Sequence, residues 1–308
     1  MKKEIRDIAA SVRQRLFNRA QETHRPFDEL FQYYSMERFL YRLSRSDYAG
    51  SVILKGALML IVWEAPHSRA TRDIDLLGRF ENTIDHVTEM VQEICRINVE
   101  PDGMIFDPGN VIGERIKEDA DYEGVRVRFT GRLGQARSVM QIDFGFGDTV
   151  FPEPTQIEYP SLLGMPRPLL TGYTRETVIA EKFEAMVTLG LLNSRMKDFY
   201  DIWLLANQFD FDGKVLLEAI KKTFSNRKIA VPAAPVALSS EFSRNPEKTA
   251  QWKAFIRKSI LDHTPEELEQ IIEALRPFLI PLAQALANGD PFDFCWKAPG
   301  PWTLYPPK

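Results

Sequence analysis

The chain has 308 residues, a hydrophobic fraction of 44% and a formal net charge of −4 at pH 7. This length and composition predict about two globular domains with a buried core. The acidic balance excludes a surface that binds polyanions throughout, so any contact with nucleic acid needs a local basic patch. Scattered cysteines and histidines exclude a disulfide framework and a cysteine or histidine metal cluster. Because no apolar run is long enough to span a bilayer, we expect a cytoplasmic protein.

The first fifty residues are predicted to form two helices. Apolar residues recur at helical spacing over 4–21, and again from Phe27 to about Ser46. On the second helix, Arg38, Arg42 and Arg45 follow one another at i, i+4 and i+7, which predicts a basic stripe. The stripe is either a solvated helix face or a contact for RNA phosphates.

Two aspartates on one strand form the most informative feature of the sequence. A short strand over 51–54 is followed by Gly56, a helix to about Glu64 and a second strand that begins at Asp73. Because side chains alternate along a strand, Asp73 and Asp75 point to the same side, about 7 Å apart. Two such carboxylates repel unless a cation lies between them. Oxygen ligands suit a hard ion such as Mg²⁺, with Mn²⁺ as an alternative.

The segment after a helix over about 82–98 is rich in β-forming residues separated by turn residues. It predicts four strands, at Met104–Phe106, Ile112–Ile116, Val125–Thr130 and Ser138–Phe144. Asp143 in the last strand would complete a two-metal phosphoryl-transfer site with the aspartate pair, or is a strand-end acid unrelated to metal. Arg126 and Arg128 share one strand face, and either bind RNA or a triphosphate or are ordinary surface charge.

From residue 174 onwards the pattern becomes helical. Thr174 is a candidate N-cap of a helix that ends near Leu189. Lys182 falls inside the apolar stripe of this helix. The position of Lys182 indicates either a functional ammonium group or an amphipathic side chain whose end reaches water.

A second helix is predicted over Met196–Gln208. Asp198 lines up with the apolar face of this helix, and Asp201 lies one turn away. These two carboxylates either take part in function or only cap the helix and pair with Arg195 and Lys197.

Two further helices are predicted, over 211–225 and about 252–261. Thr264, followed by proline and two glutamates, predicts the start of a last helix. Pro277 and Pro281 should break or kink that helix. The proline- and aromatic-rich tail from residue 290 is expected to lie as a strap over the body, or else to bind a partner.

Three blocks of the sequence resemble the AbiEii/AbiGii-type nucleotidyltransferase toxins of type IV bacterial toxin–antitoxin systems. The blocks are Leu54-Lys55-Gly56 with Arg72-Asp73-Ile74-Asp75-Leu76, then Ile179-Ala180-Glu181-Lys182, then Arg195-Met196-Lys197-Asp198-Phe199-Tyr200-Asp201. The resemblance implies an α/β fold with a nucleotidyltransferase-type mixed sheet, flanking helices and a mainly helical C-terminal domain. We expect N-terminal helices over 1–50, the α/β core over 51–165 and the helical domain with its tail over 166–308.

The resemblance also implies roles for individual residues. Asp73 and Asp75 would bind Mg²⁺. Asp143 is added from its position on a strand, and not from the resemblance, as a third catalytic and metal-binding carboxylate. Lys182 would contact the nucleotide triphosphate. The block that contains Lys197, Asp198 and Asp201 would act in catalysis or nucleotide placement.

The turn at residues 55–57 is the expected phosphate contact, because the first amide groups of a helix have no partners within it. Lys55, Gly56 and Ala57 are therefore candidate nucleotide-binding residues. Ala57 and Leu58 depart from the family pattern, which usually has a second glycine followed by Ser or Thr. A hydroxyl ligand for phosphate is missing as a result, which predicts weaker affinity, a changed substrate or lower activity.

The function expected from the resemblance is Mg²⁺-dependent transfer of a nucleoside monophosphate from an NTP to RNA, such as a tRNA 3′ end. Growth arrest and a separately encoded antitoxin are implied as well. Two alternatives remain: nucleotidylation of a protein or small molecule, and binding of nucleotide or RNA without catalysis. The basic stripe at Arg38, Arg42 and Arg45 favours an RNA acceptor, because a small acceptor needs no extended basic surface.

Overall fold

A computed structural model of the chain describes residues 7–65, 69–119, 122–259, 261 and 264–305. The described residues form two compact units. The first lies within Met1–Trp63, Ala70–Gly147 and Thr155–Gly172, and the second within Glu64–Arg69, Asp148–Pro154 and Tyr173–Lys308. The predicted division into 1–50, 51–165 and 166–308 stays a prediction.

The first unit combines helices with a large sheet. Its helices are α1 (Ile8–Thr23), α2 (Phe27–Ser44), α3 (Leu58–Val62) and α4 (Ile84–Arg96). Its strands are β1 (Val52–Lys55), β2 (Ile74–Gly78), β3 (Met104–Phe106), β4 (Ile112–Asp119), β5 (Tyr122–Leu133), β6 (Ala136–Phe146), β7 (Thr155–Glu158) and β8 (Leu169–Gly172). The sequence patterns did not predict β7 and β8, which are short and border proline-rich turns.

The eight strands form one mixed sheet in the order β3-β5-β6-β2-β1-β8-β7, with β4 also paired to β5. Strand β2 runs antiparallel to β1 and parallel to β6. This parallel pairing sets Asp75 directly beside Asp143. The predicted fold class, an α/β protein with a mixed sheet and flanking helices, is confirmed.

Helices α2 and α4 cover one face of this sheet. The ring of Phe39 lies 5.8 Å from that of Phe106 and 5.1 Å from that of Phe129, measured between centroids. Gly113 on β4 lies so close to α4 that a Cβ atom there would overlap a side chain of the helix. Side chains alternate between the two faces of β5 and β6. The set that includes Asp143 and its register partner Arg126 therefore points away from these helices.

The basic stripe predicted on α2 is wrong. Arg38 and Arg42 are buried, with exposures of 1% and 6%, while Arg45 is exposed. Arg42 donates hydrogen bonds to both carboxylate oxygens of Asp102, at 2.7 and 3.2 Å, and Arg38 donates to the carbonyl of Pro166 at 2.5 Å. The two buried guanidinium groups are structural, so this stripe offers RNA no contact.

The second unit is mainly helical. Its helices are α5 (Arg175–Leu189), α6 (Met196–Gln208), α7 (Gly213–Asn226), α8 (Ser240–Ser243), α9 (Pro246–Ser259) and α10 (Leu268–Asn288). Thr174 caps α5 as predicted, since its side chain accepts a hydrogen bond from the amide of Thr177. Helix α10 begins at Leu268 rather than at the predicted cap Thr264. The buried indole of Trp252 donates to the carbonyl of Pro265, which holds that segment outside the helix.

Pro277 and Pro281 lie inside α10, which continues through both to Asn288. Of the predicted break or kink, the break therefore does not occur. A proline in a helix interior costs about 3 kcal/mol. A fully buried Leu, Ile or Phe side chain stabilises by about 1.5–3 kcal/mol. The helix buries several such side chains, at Ile271, Ile272, Leu275, Phe278, Leu279 and Leu282. Burial of this apolar face outweighs the two prolines.

The C-terminal tail packs against the second unit as a small sheet, in agreement with the predicted strap. Strands β9 (Phe211–Asp212), β10 (Phe294–Trp296) and β11 (Trp302–Leu304) pair in the order β11-β10-β9. The indole of Trp296 donates to the carbonyl of Ala206 at 2.6 Å, and Trp302 stacks on Phe278 with centroids 5.6 Å apart. Across the described residues, every helix is too short or too polar to cross a bilayer.

Replacing Asp102 by alanine should lower the free energy of unfolding by about 3–5 kcal/mol, because Arg42 would remain buried without its carboxylate. Urea denaturation followed by circular dichroism measures the change. Glu158→Ala is the control, since Glu158 forms an exposed ion pair with Arg167 and its loss should cost no more than about 1 kcal/mol. Equal losses in the two variants would contradict a structural role for Arg42.

Candidate functional site

Three carboxylates of the first unit converge beside β2 and β6. Each of Asp73, Asp75 and Asp143, which we call the aspartate group, offers an oxygen atom, and these oxygens lie within 4.8 Å of one another. Asp73 immediately precedes β2, Asp75 is on β2, and Asp143 is its neighbour on β6. Thr71 donates a hydrogen bond to Oδ1 of Asp73. These three residues can hold a hard cation, because only oxygen ligands are presented and their charges repel without one.

The turn after β1 lies against this group of carboxylates. Lys55 is opposite Asp75 in the register of β1 and β2 and is 9% exposed. Gly56 has a φ of +72°, and a Cβ atom there would overlap the carboxylate of Asp75. Glycine at residue 56 is therefore required by both the backbone conformation and the proximity of Asp75. Ala57 is buried just before α3, and phosphate binding by Lys55, Gly56 and Ala57 stays a prediction.

Arg126 neutralises one member of the group. Its Nε and terminal nitrogen donate to the two oxygens of Asp143 at 2.7 and 2.6 Å. The hydrogen bond to Asp143 raises the pKa of Arg126. Arg128 has a separate carboxylate partner, Glu114, at 2.6 Å. Any cation that binds Asp143 therefore shares this carboxylate with Arg126 or displaces the guanidinium group.

A second charged cluster lies in the second unit and joins α5 to α6. The ammonium group of Lys182 is 2.7 Å from Oδ1 of Asp198 and 2.9 Å from Oδ2 of Asp201. Arg69 donates to both oxygens of Asp201, at 2.9 and 3.0 Å, and Arg195 contacts Asp198 at 2.8 Å. The ammonium group thus joins two buried carboxylates, which excludes the alternative of a lysine that only reaches water. The predicted pairing of Asp198 with Arg195 is present.

Burial and charge act in opposite directions on this cluster. Burial alone would lower the pKa of Lys182, but the carboxylates of Asp198 and Asp201 more than compensate and raise it. Burial would raise the pKa of both aspartates, yet the adjacent cations hold each below its usual value. The main cations are Lys182 for Asp198 and Arg69 for Asp201. All of these groups are therefore charged at neutral pH.

The structure brings together most of the residues that the sequence singled out, within each unit. Lys197 is exposed on α6, whereas its neighbour Asp198 is fully buried, so Lys197 does not share the cluster's environment. Sequence reasoning missed Thr71 and Arg69. Sequence reasoning also did not pair Arg126 with Asp143, although an antiparallel register of the two predicted strands would have been enough to bring them together. Arg69 gives no such signal, because it lies 132 residues before Asp201.

The sequence model of the family described as nucleotidyl transferase AbiEii toxin of type IV toxin–antitoxin systems matches residues 38–274. No curated protein matches the chain in sequence. JHP933 from Helicobacter pylori is structurally similar, at 16% identity and a TM-score of 0.47, over 85% of this chain and 92% of that chain. A candidate nucleotidyltransferase from H. pylori has 16% identity and a TM-score of 0.44, over 84% of this chain and 95% of that chain.

Replacing Lys182 by methionine should lower the free energy of unfolding by about 3–5 kcal/mol at pH 7, because it leaves two buried carboxylates short of a partner. Lys253→Met is the matched control, since Lys253 forms an exposed ion pair with Glu267 and should contribute no more than about 1 kcal/mol. Urea denaturation measures both values. A loss in Lys182→Met no larger than in the control would contradict the proposed energetics.

The same measurement across pH tests the pKa directions. Lowered aspartate pKa values stabilise the fold above the ordinary aspartate value of about 4, and this contribution is lost as pH falls through the folded pKa. The raised pKa of Lys182 stabilises below the ordinary lysine value of about 10.4 and is lost as pH rises through the folded pKa. The difference between wild type and Lys182→Met should therefore be largest between these values and shrink on either side.

Proposed function

This chain belongs to the AbiEii family of nucleotidyl transferase toxins, and we propose that it moves a nucleoside monophosphate from an NTP to a hydroxyl group of RNA. It is therefore a nucleotidyltransferase and a toxin-family protein. The single observation that carries the proposed chemistry is the convergence of Asp73, Asp75 and Asp143 beside two parallel strands. Nucleotidyl transfer depends on charge neutralisation and alignment more than on covalent chemistry from the protein.

The donor set fits a divalent hard cation, and we propose Mg²⁺, with Mn²⁺ as a substitute. Three carboxylate oxygens within 4.8 Å of one another can ligate such an ion directly. When bound, the ion would neutralise phosphate charge and lower the pKa of the attacking hydroxyl. Asp73 and Asp75 would be its main ligands, because Asp143 also binds Arg126. Thr71 orients Asp73 through its hydrogen bond, and Gly56 leaves space for the carboxylate of Asp75.

The reaction exchanges the phosphoanhydride bond between the α- and β-phosphates of the NTP for a phosphodiester bond to the acceptor. The acceptor oxygen forms a bond to the α-phosphorus of the NTP, and the bond from that phosphorus to the bridging oxygen breaks. The electron pair of the broken bond leaves with pyrophosphate, while the proton of the acceptor hydroxyl passes to a carboxylate of the aspartate group. No oxidant or further reactant is needed.

Lys182 is proposed to contact the triphosphate of the nucleotide. Its ammonium group has three N–H donors, and its two ion pairs leave one of them available. Asp198 and Asp201 keep Lys182 charged and fix its position, so we assign them a positioning role. Lys197 is exposed, and its proposed role is limited to direct contact with the bound nucleotide.

The acceptor is proposed to be RNA, such as the 3′ end of a tRNA, with growth arrest as the outcome. The family description supports a toxin whose partner is an antitoxin, and we expect both to act in the cytoplasm. The buried arginines of α2 no longer support RNA binding, so a basic surface must lie elsewhere. Nucleotidylation of a protein or small molecule is the alternative within enzymes. Ala57 and Leu58, which replace the usual Gly-Ser/Thr, favour binding without catalysis as a second candidate.

Incubation with Mg²⁺, each α-³²P-labelled NTP and total RNA tests the proposed reaction. We expect label on RNA with wild type and a loss of at least about 100-fold in rate with Asp75→Asn, the size typical for removing a key electrostatic group. Asp85→Asn is the control, since Asp85 is an exposed residue of α4. Label on protein or small molecules would support the alternative acceptor, and binding without label the inactive binder. Unchanged labelling by Asp75→Asn would refute the metal assignment.

Replacing Arg126 by glutamine should tighten Mn²⁺ binding about tenfold, because a competing cation is removed from Asp143. Isothermal titration calorimetry without nucleotide measures the affinity. Arg128→Gln is the matched control, because Arg128 is two residues along the same strand and pairs with Glu114. Weaker Mn²⁺ binding by Arg126→Gln would instead mean that Arg126 holds Asp143 in its ligating position.

A further inference from the structure

We propose that a strand of RNA binds along one exposed side of the β5–β6 hairpin and leads its reactive hydroxyl to the aspartate group. We call this surface the arginine face. It consists of alternate residues of the two strands, Arg126, Arg128, Thr130 and Arg132 on β5 and Arg137, Val139, Gln141 and Asp143 on β6. The inference rests on the proposed RNA acceptor and names the surface that would bind it.

The register of the hairpin makes the arginine face continuous. Strands β5 and β6 pair without irregularity, so that Arg126 lies opposite Asp143 and Arg132 lies opposite Arg137. Asp143 also belongs to the aspartate group. Asp143 is six positions along the strand from Arg137, which corresponds to about 20 Å of extended chain. The arginine face therefore reaches from the candidate reaction site to the turn of the hairpin, a distance that suits several nucleotides.

The two ends of the arginine face differ in how their charges are balanced. At the aspartate end, Arg126 pairs with Asp143, and Arg128 contacts Glu114. At the turn end, the side chains of Arg132 and Arg137 are both exposed, and neither side chain forms a hydrogen bond or an ion pair with another residue that the structure describes. Directly opposite side chains have Cβ atoms about 5 Å apart, and like charges in this position destabilise a sheet. A bound polyanion would relieve this repulsion.

Apolar side chains border Arg132 and Arg137. Ile105 on β3 is the register partner of Arg132 and is 67% exposed. Val139 on β6 is 68% exposed and lies two residues from Arg137. Exposed apolar groups among guanidinium groups suit a nucleic acid strand, whose phosphates bind arginine and whose bases and sugars contact apolar surface.

The direct test measures binding without chemistry. Fluorescence anisotropy of a fluorescein-labelled single-stranded oligoribonucleotide gives Kd at several KCl concentrations, with no NTP present. We compare wild type with the double variant Arg132→Gln/Arg137→Gln. Arg79→Gln/Arg96→Gln is the control of equal charge, because Arg79 and Arg96 are exposed and Arg96 belongs to α4 on the opposite face of the sheet.

The expected result is weaker RNA binding and a smaller salt dependence in the Arg132/Arg137 variant. Each phosphate contact on a single strand contributes about 0.7 to the slope of log Kd against log[KCl], so the slope should fall by about 1.4. The control should keep the wild-type slope. The variant should also melt at or above the wild-type Tm, because a like-charge pair is removed. This distinguishes lost contacts from unfolding.

Three results would overturn the assignment of this surface. They are no RNA binding by wild type, an unchanged slope in the Arg132/Arg137 variant, and an equal loss in the control. Poly-L-glutamate that competes as well as RNA at equal charge concentration would also overturn it, in favour of an acidic protein partner.

The labelling assay separates this inference from the proposed function. If wild type and the Arg132/Arg137 variant label RNA equally, the proposed RNA-binding surface is refuted and the proposed reaction is supported. If the variant loses RNA binding but wild type puts no label on RNA, the proposed surface is supported and the proposed reaction is refuted.

Discussion

Electrostatic repulsion among three carboxylates is the main constraint on the candidate site of the first unit. The parallel pairing of β2 with β6 sets Asp75 beside Asp143, and the alternation of side chains adds Asp73 to the same side. Folding by itself offers no gain from such proximity, because like charges in a half-buried site oppose one another. Arg126 offsets part of this repulsion through Asp143. Lys55, the register partner of Asp75, supplies a second cation beside the group, and the divalent cation proposed here would be a further one.

In the second unit, buried carboxylates are surrounded by cations instead of by one another. Asp198 and Asp201 are almost fully buried, a position in which an isolated carboxylate would take up a proton. Lys182, Arg69 and Arg195 prevent this by supplying three cations to two carboxylates. The two carboxylates and the ammonium group are buried, while Arg195 reaches the solvent with 38% of its side chain exposed. A lysine held in this way stays charged and fixed in position, which are the two properties that contact with a phosphate requires.

Local patterns in the sequence predicted most helices and strands. Long-range contacts decided which charged residues are buried and with which partners they pair. Alternation along one strand was enough to place Asp73 and Asp75 on one side, and Asp143 was recognisable as an acid on a β-rich segment. The α2 arginines were misassigned because their partner Asp102 lies 60 residues from Arg42, and no helical pattern reveals it. Arg69 was missed for the same reason. Helix boundaries failed where a tertiary contact intervened, as at Pro265, whose carbonyl is bound by Trp252.

The arginines of the first unit show how one residue type serves two purposes. Arg42 is buried with a carboxylate partner, and its contribution is to stability, since an unpaired buried charge would be costly. Arg132 and Arg137 are exposed and lie directly opposite one another, an arrangement in which like charges are expected to oppose strand pairing. Selection tolerates such a loss where a binding surface requires it, because proteins need only remain above a stability threshold. A pair that works against the fold therefore indicates a ligand more strongly than a pair that supports it.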